Sequence, residues 1–175
     1  EKPEEIVAQI DRYVAAGGVL PTPSARVTGY DFITDGAMAI RDSVQTIVGA
    51  SNVAARIDET WTAADALAYI NRAGGGITSI NGHYDHYRGL PGAADGPLLQ
   101  AADASPAPGS LLFTIGCHAG LSSIDAYGVA GDPGLGDWAA QLTKGGSAFV
   151  GNTGFGYGDT DVVALSEQLM ANFAQ

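Results

Sequence analysis

Five short apolar runs, "SARVTGYDF", "NVAARI", "GITSING", "SLLFTIG" and "GSAFVGN", are spread along the chain, most of them separated by segments of helical periodicity. This alternation constrains the fold more than any other feature. Strands that alternate with helices build a parallel sheet with helices covering both faces. Continuous apolar stretches such as "LLFTI" and "SAFV" suit strands buried on both sides. The expectation is one α/β domain over residues 1–175, three-layered α-β-α with a mainly parallel sheet; 175 residues suffice for one core.

The intervening segments carry their own signals. Pro3 can open a helix, with Glu4 and Glu5 near the positive end of its dipole. Ile6, Val7, Ile10, Tyr13 and Val14 follow at helical spacing, and Gly17-Gly18 stops the helix. Asp35 is expected to cap a helix whose apolar face is Met38, Ile40, Val44, Ile47 and Val48. Thr62 and Asp65 have capping-box spacing ahead of Leu67 and Ile70. Further helices are expected around "GDWAAQLTK" and over "DTDVVALSEQLMANF".

In sheets of this kind ligands bind beyond the carboxyl ends of the strands. Tyr30-Asp31, Gly82-His83, Gly116-Cys117 and Gly151-Asn152 all stand at such ends. Composition narrows what could bind there. A net charge of −11 argues against nucleic acid and anionic membranes as main partners. No apolar run reaches the length of a membrane span, so no membrane insertion is expected. The opening "EKPEEIVAQIDRYV" reads as an acidic amphipathic helix, not as a leader peptide. A single cysteine excludes an internal disulfide and a cysteine-rich zinc cage.

That cysteine, Cys117, follows a strand and a glycine, Gly116, that lets backbone or substrate approach closely. Amides of a turn or helix begun by "AGLSS" would favour its thiolate and hold an oxyanion. The alternative is a buried cysteine acting as a small hydrophobe. His83 likewise ends a strand after a glycine. If the two strands are neighbours, about 4.8 Å apart, thiol and imidazole can flank one scissile carbonyl.

The pair "SINGHYDHYRG" and "LLFTIGCHAGLSS" resembles the strand-end histidine and cysteine motifs of the caspase–gingipain clan of cysteine peptidases, most closely the gingipain family. "GNTG" after the next strand and the opening helix are similar too, so the resemblance covers most of the chain. It implies a caspase-like peptidase domain whose usual boundary lies upstream of Glu1. Carried over, His83 and Cys117 become the catalytic dyad, and the amides of Cys117 and Tyr84 the oxyanion donors. Gly116, Asn152, Thr153, Phe155 and Tyr157 would line the pocket for the residue before the cleaved bond. Asp31 would stand where relatives carry a charged specificity residue, favouring Arg or Lys, against the plainer reading of a turn aspartate. The resemblance further implies a secreted or surface-displayed bacterial protein, part of a larger multidomain chain, acting on polypeptide substrates without a cofactor.

Two departures stand out. Tyr84 replaces the family's glycine after the histidine, and His118 the small polar residue after the cysteine. They support a second reading, a degenerate peptidase fold kept for binding. A third takes His83-Tyr84-Asp85-His86 as half of an H-x-H-x-D-H zinc motif, with Asn81 where the first histidine would be. Asp85 and His86 otherwise shape their loop, and one could orient His83. The loops "GDPGLGD" and "GYGDTD" raise the option of structural calcium, although neither completes a calcium-loop pattern.

Overall fold

A computed structural model describes residues 3–20, 22–122 and 136–175 of the chain. Its centre is a five-stranded sheet of β1 (Ala25–Gly29), β2 (Val53–Ile57), β3 (Ile77–Ile80), β6 (Leu111–Phe113) and β7 (Ala148–Val150), in the order β2-β1-β3-β6-β7. Every pairing in it is parallel. β4 (Arg88–Gly89) and β5 (Leu99–Gln100) form a separate antiparallel pair in the β3–β6 connection. Runs of two residues are too short to carry a periodicity, so neither strand is visible from the sequence.

Helices cover both faces. α2 (Thr34–Val48) and α5 (Leu165–Phe173) lie on one side, where Ala37, Ile40, Val44 and Met170 pack with Val27, Ile77 and Phe113. α3 (Ala63–Ile70) and α4 (Trp138–Thr143) lie on the other, where Ala66, Ile70, Trp138 and Leu142 pack with Ile80 and Leu112. The neighbours Leu112 and Phe113 enter opposite cores, as the alternation of a strand requires. The molecule is therefore a three-layer α/β domain.

Local signals explain most of the elements. Thr62 accepts from the Asp65 N–H at 3.2 Å while the Asp65 carboxylate accepts from the Thr62 N–H at 2.9 Å, the reciprocal box that starts α3. Gly17 and Gly18, at φ of 68° and 78°, end α1 (Pro3–Ala15). Two expectations are corrected. Asp35 is not a helix cap: a 3-10 turn over Asp31–Ile33 already leads into α2, and Asp35 sits in its first turn, accepting from the Gly36 N–H at 2.8 Å. The last helix starts at Leu165 rather than near Asp159, because the segment before it is held in a turn by Glu167.

The apolar stripe of α1 also fails to reach a core. Ile6, Ile10 and Val14 are 48%, 56% and 68% exposed, and α1 is tied down by polar contacts, from Gln9 to the Thr143 carbonyl and from Arg12 to the Gly145 carbonyl. Periodicity fixes a helix and its stripe, but not what the stripe meets.

Two buried polar side chains organise the carboxyl end of the sheet. Asn81 is fully buried. Its Nδ2 donates to the Thr28 carbonyl at 2.8 Å, and its Oδ1 accepts from the Ile115 N–H at 3.0 Å. One amide thus ties the ends of β1, β3 and β6. Glu167 is also fully buried, against the open sides of Gly36 and Gly158. Its Oε2 accepts from the Asp159 N–H at 3.0 Å. Burial, followed by the nearby Asp35 charge, raises its pKa.

Replacing Asn81 with Ala strands the Ile115 N–H inside the sheet and removes the shorter of the two hydrogen bonds to the Thr28 carbonyl, whose other donor is the backbone N–H of residue 81. The expected loss is about 3 kcal/mol of unfolding free energy, read by urea denaturation. For Glu167 the sign follows from its raised pKa. The native state keeps the proton to higher pH than the unfolded chain does. The stability Glu167 contributes is therefore full below the ordinary carboxylate range and is lost as pH rises through its native pKa. Glu167→Gln should raise the melting temperature at neutral pH, and calorimetry should show that advantage vanishing near pH ~3.

Candidate functional site

The strand order reverses direction beside β1. The chain runs from β1 outward to β2, then crosses back to place β3 on the other side of β1. α2 and α3 consequently leave on opposite faces, which opens a crevice at the carboxyl ends of β1 and β3. Asp31 lies just beyond β1 and His83 just beyond β3, and they meet there with His83 Nε2 3.2 Å from Asp31 Oδ2.

The meeting follows from register. β1 pairs with β3 as Thr28 with Ile80, and the same offset carried past the strands sets Asp31 opposite His83. β3 pairs with β6 as Ser79 with Phe113, and that offset sets Gly82 opposite Gly116 and His83 opposite Cys117. The backbones do stay close beyond the strands: a Cβ on Gly116 would stand 3.1 Å from the Gly82 carbonyl oxygen. On the outer side, β1 pairs with β2 as Gly29 with Ile57, which sets Asp31 opposite Glu59. Glu59, Asp31, His83 and Cys117 therefore occupy one row across four adjacent strands.

An ionised carboxylate only accepts, so His83 carries its proton on Nε2 when neutral and keeps Nδ1 as its basic atom. The imidazole is flanked by the rings of Tyr30 and Phe32, with centroids 5.8 and 5.4 Å away. Asp31 has φ of 56°, the left-handed region, and its N–H donates to Glu59 Oε1 at 2.9 Å. Its carboxylate also borders a groove of about 450 Å³ lined with Phe32, Thr34, Asp35, Met38 and Thr160. His83 itself borders a second groove of about 300 Å³, shared with Tyr84, Asp85, Arg88, Leu90 and Leu98.

Cys117 opens a turn, not a helix, and is partly exposed. Its thiol donates to the Gly156 carbonyl, with sulfur and oxygen 3.6 Å apart. Among the described residues the N–H groups of Cys117 and Tyr84 have no hydrogen-bond acceptor. The Tyr84 side chain turns inward, with its ring 5.4 Å from that of Trp138, and burial raises its phenol pKa. Gly116 makes room for that ring, since a Cβ there would stand 2.3 Å from Tyr84 Cδ2. The close approach that this glycine permits is thus made by Tyr84.

The loop after β7 divides into ties and exposed rings. Asn152 Nδ2 donates to the Ile115 carbonyl at 2.6 Å, and its own carbonyl accepts from the Gly120 N–H at 2.9 Å, zipping this loop to the Cys117 turn. The Thr153 carbonyl faces His118 Nδ1 at 3.4 Å. Phe155 and Tyr157 are 64% and 60% exposed, and the Phe155 ring packs edge-on to His118, with centroids 4.7 Å apart. His118 takes a left-handed φ of 52°.

The residues of the suggested zinc motif are employed separately. Asp85 accepts from the Tyr87 and Arg88 N–H groups and pairs with the Arg88 guanidinium at 2.9 Å, while His86 packs on Tyr87. No group of three or more potential metal ligands gathers among the described residues. In "GYGDTD", Asp159 Oδ1 accepts from the Asp161 N–H at 2.9 Å, as in a solvated turn. Most of "GDPGLGD" lies outside the described residues, and its final Asp137 caps α4.

Sequence reasoning missed Glu59, the pairing of Asp31 with His83, and the tie made by Asn81. The signal for the first two existed in the equal distances of these residues from the starts of their runs. It becomes legible only once the strand order is known. No helix among the described residues is long and apolar enough to cross a membrane. A scan against protein-family models matches none, and searches of curated proteins and of solved structures return no significant match.

Proposed function

We propose that the chain is a cysteine endopeptidase of the caspase–gingipain type, with Cys117 as nucleophile, His83 as general base and acid, and Asp31 as the residue that orients His83. The observation that carries the reading is the row itself: thiol, imidazole and carboxylate at equivalent positions past three neighbouring strands, with Asp31 on the histidine's Nε2. The finer, caspase-like description of the fold belongs to the same proposal. So do the exported, multidomain setting and the pocket role of the loop after β7, which rest on resemblance alone.

In this mechanism His83 Nδ1 takes the Cys117 proton and the thiolate attacks the peptide carbonyl carbon. The N–H groups of Cys117 and Tyr84, which have no acceptor among the described residues, are available to the developing oxyanion. The imidazolium then gives its proton to the leaving amine as the C–N bond breaks, leaving a thioester. Water, deprotonated by His83, cleaves the thioester and returns the thiol. The Tyr84 ring turns inward onto Trp138 and the open side of Gly116, which is how the chain accommodates the departure from glycine at this position. The two grooves, one bordered by His83 and the other by Asp31, offer surfaces for the residues of a bound peptide.

Iodoacetamide labelling of Cys117, followed by mass spectrometry, tests the dyad. His83→Ala should slow labelling at neutral pH by about 100-fold. Asp31→Asn should slow it less, by roughly tenfold, with the proton now favoured on the wrong ring nitrogen. Labelling that ignores His83 would point instead to a binding module. Stoichiometric zinc in the purified protein, lost on His86→Ala, would restore the metal reading.

A further inference from the structure

We propose that Glu59 is a positioning residue for this site. The inference rests on the dyad reading and adds a fourth member to it. Glu59 touches neither the sulfur nor the imidazole in the geometry described. It acts through Asp31.

Asp31 must do two things at once. It ends β1 and begins the 3-10 turn into α2, and it must aim Oδ2 at His83 Nε2. It meets both demands at φ of 56°, a conformation that a residue with a Cβ adopts only under restraint. Restraint comes from both peptide groups. The Asp31 carbonyl accepts from the Thr34 hydroxyl at 2.9 Å, which ties it to α2. The Asp31 N–H donates to Glu59 Oε1 at 2.9 Å, which ties it to the turn after β2.

Glu59 is itself held. Asp58 accepts from the Thr60 N–H at 2.7 Å and from the Thr60 hydroxyl at 2.5 Å, closing the turn that presents Glu59 to its neighbour. An exposed glutamate would ordinarily be free to wander in solvent. This one sits opposite Asp31 in the β1–β2 register, so its carboxylate reaches the amide without a long excursion. The alternative, that Glu59 acts as a remote negative charge on His83, makes a different prediction.

The test uses the whole chain and two variants, Glu59→Ala and Glu59→Gln. Gln keeps a carbonyl oxygen for the Asp31 N–H and removes the charge; Ala removes both. The ring ¹⁵N shifts of His83 separate the Nε2–H from the Nδ1–H tautomer and report its contact with Asp31 whether or not the protein is a peptidase. The parent and Glu59→Gln should hold the neutral ring as Nε2–H, and Glu59→Ala should show mixed tautomers. Iodoacetamide labelling of Cys117 should fall about tenfold in Glu59→Ala and stay within about twofold of the parent in Glu59→Gln. An unchanged His83 spectrum in Glu59→Ala would overturn the proposal. So would an equal change in both variants, which would assign the effect to charge. If His83→Ala leaves labelling untouched, the dyad reading fails alone, because the tautomer measurement still decides whether Glu59 positions Asp31.

Discussion

The candidate site depends on the buried Asn81 amide at the carboxyl edge of the sheet. Parallel strands lose their mutual hydrogen bonds where they end, and their exits are then free to splay. Here the last paired residues are followed by Asn81, whose side chain bonds the backbone of both neighbouring strands. Thr114 adds a second tie, donating its hydroxyl to the Ile80 carbonyl at 2.6 Å and accepting from the Gly116 N–H at 2.9 Å. The exits of β1, β3 and β6 thus stay at strand spacing past the sheet. His83 and Cys117 inherit a separation set by backbone geometry, not by their own side chains.

Glycines at the same level complete the arrangement by what they omit. Gly82 and Gly116 let two chain exits and the Tyr84 ring share one small volume. Gly29 lets α2 cross immediately over the end of β1, where a Cβ would stand 2.3 Å from the Ala37 Cβ. That crossing delivers Asp31 to the crevice and sends Asp35 into the first turn of α2. The reversal of strand order, the close helix crossing and the polar ties converge on one edge of the sheet.

Much of this architecture was legible in the sequence, for identifiable reasons. The strands announced themselves by apolar runs that end in glycine or a polar residue, and α3 by the reciprocal spacing of Thr62 and Asp65. The rim position of His83 and Cys117 followed from the same runs. Other features depend on strand order, which periodicity does not encode. Asp31 read as a turn or specificity residue because nothing local links it to a histidine fifty-two positions away. Asn81 looked like a missing ligand, and its role as a cross-strand tie needs both neighbours in place. The β4–β5 pair was too short to leave a pattern, and the exposed stripe of α1 shows that amphipathicity does not name its own partner.

The shared register of Glu59, Asp31, His83 and Cys117 separates chemistry from architecture. None of these side chains belongs to either apolar core, so selection on reactivity and selection on folding act on different positions. Such a scaffold can be retuned, or silenced, by a single exchange at its edge while its interior stays as it was. Sliding one strand by a residue, in contrast, would swap its inner and outer faces and scatter the row at the same moment. Reactivity at Cys117 would then serve as a built-in gauge of whether the strands are correctly threaded.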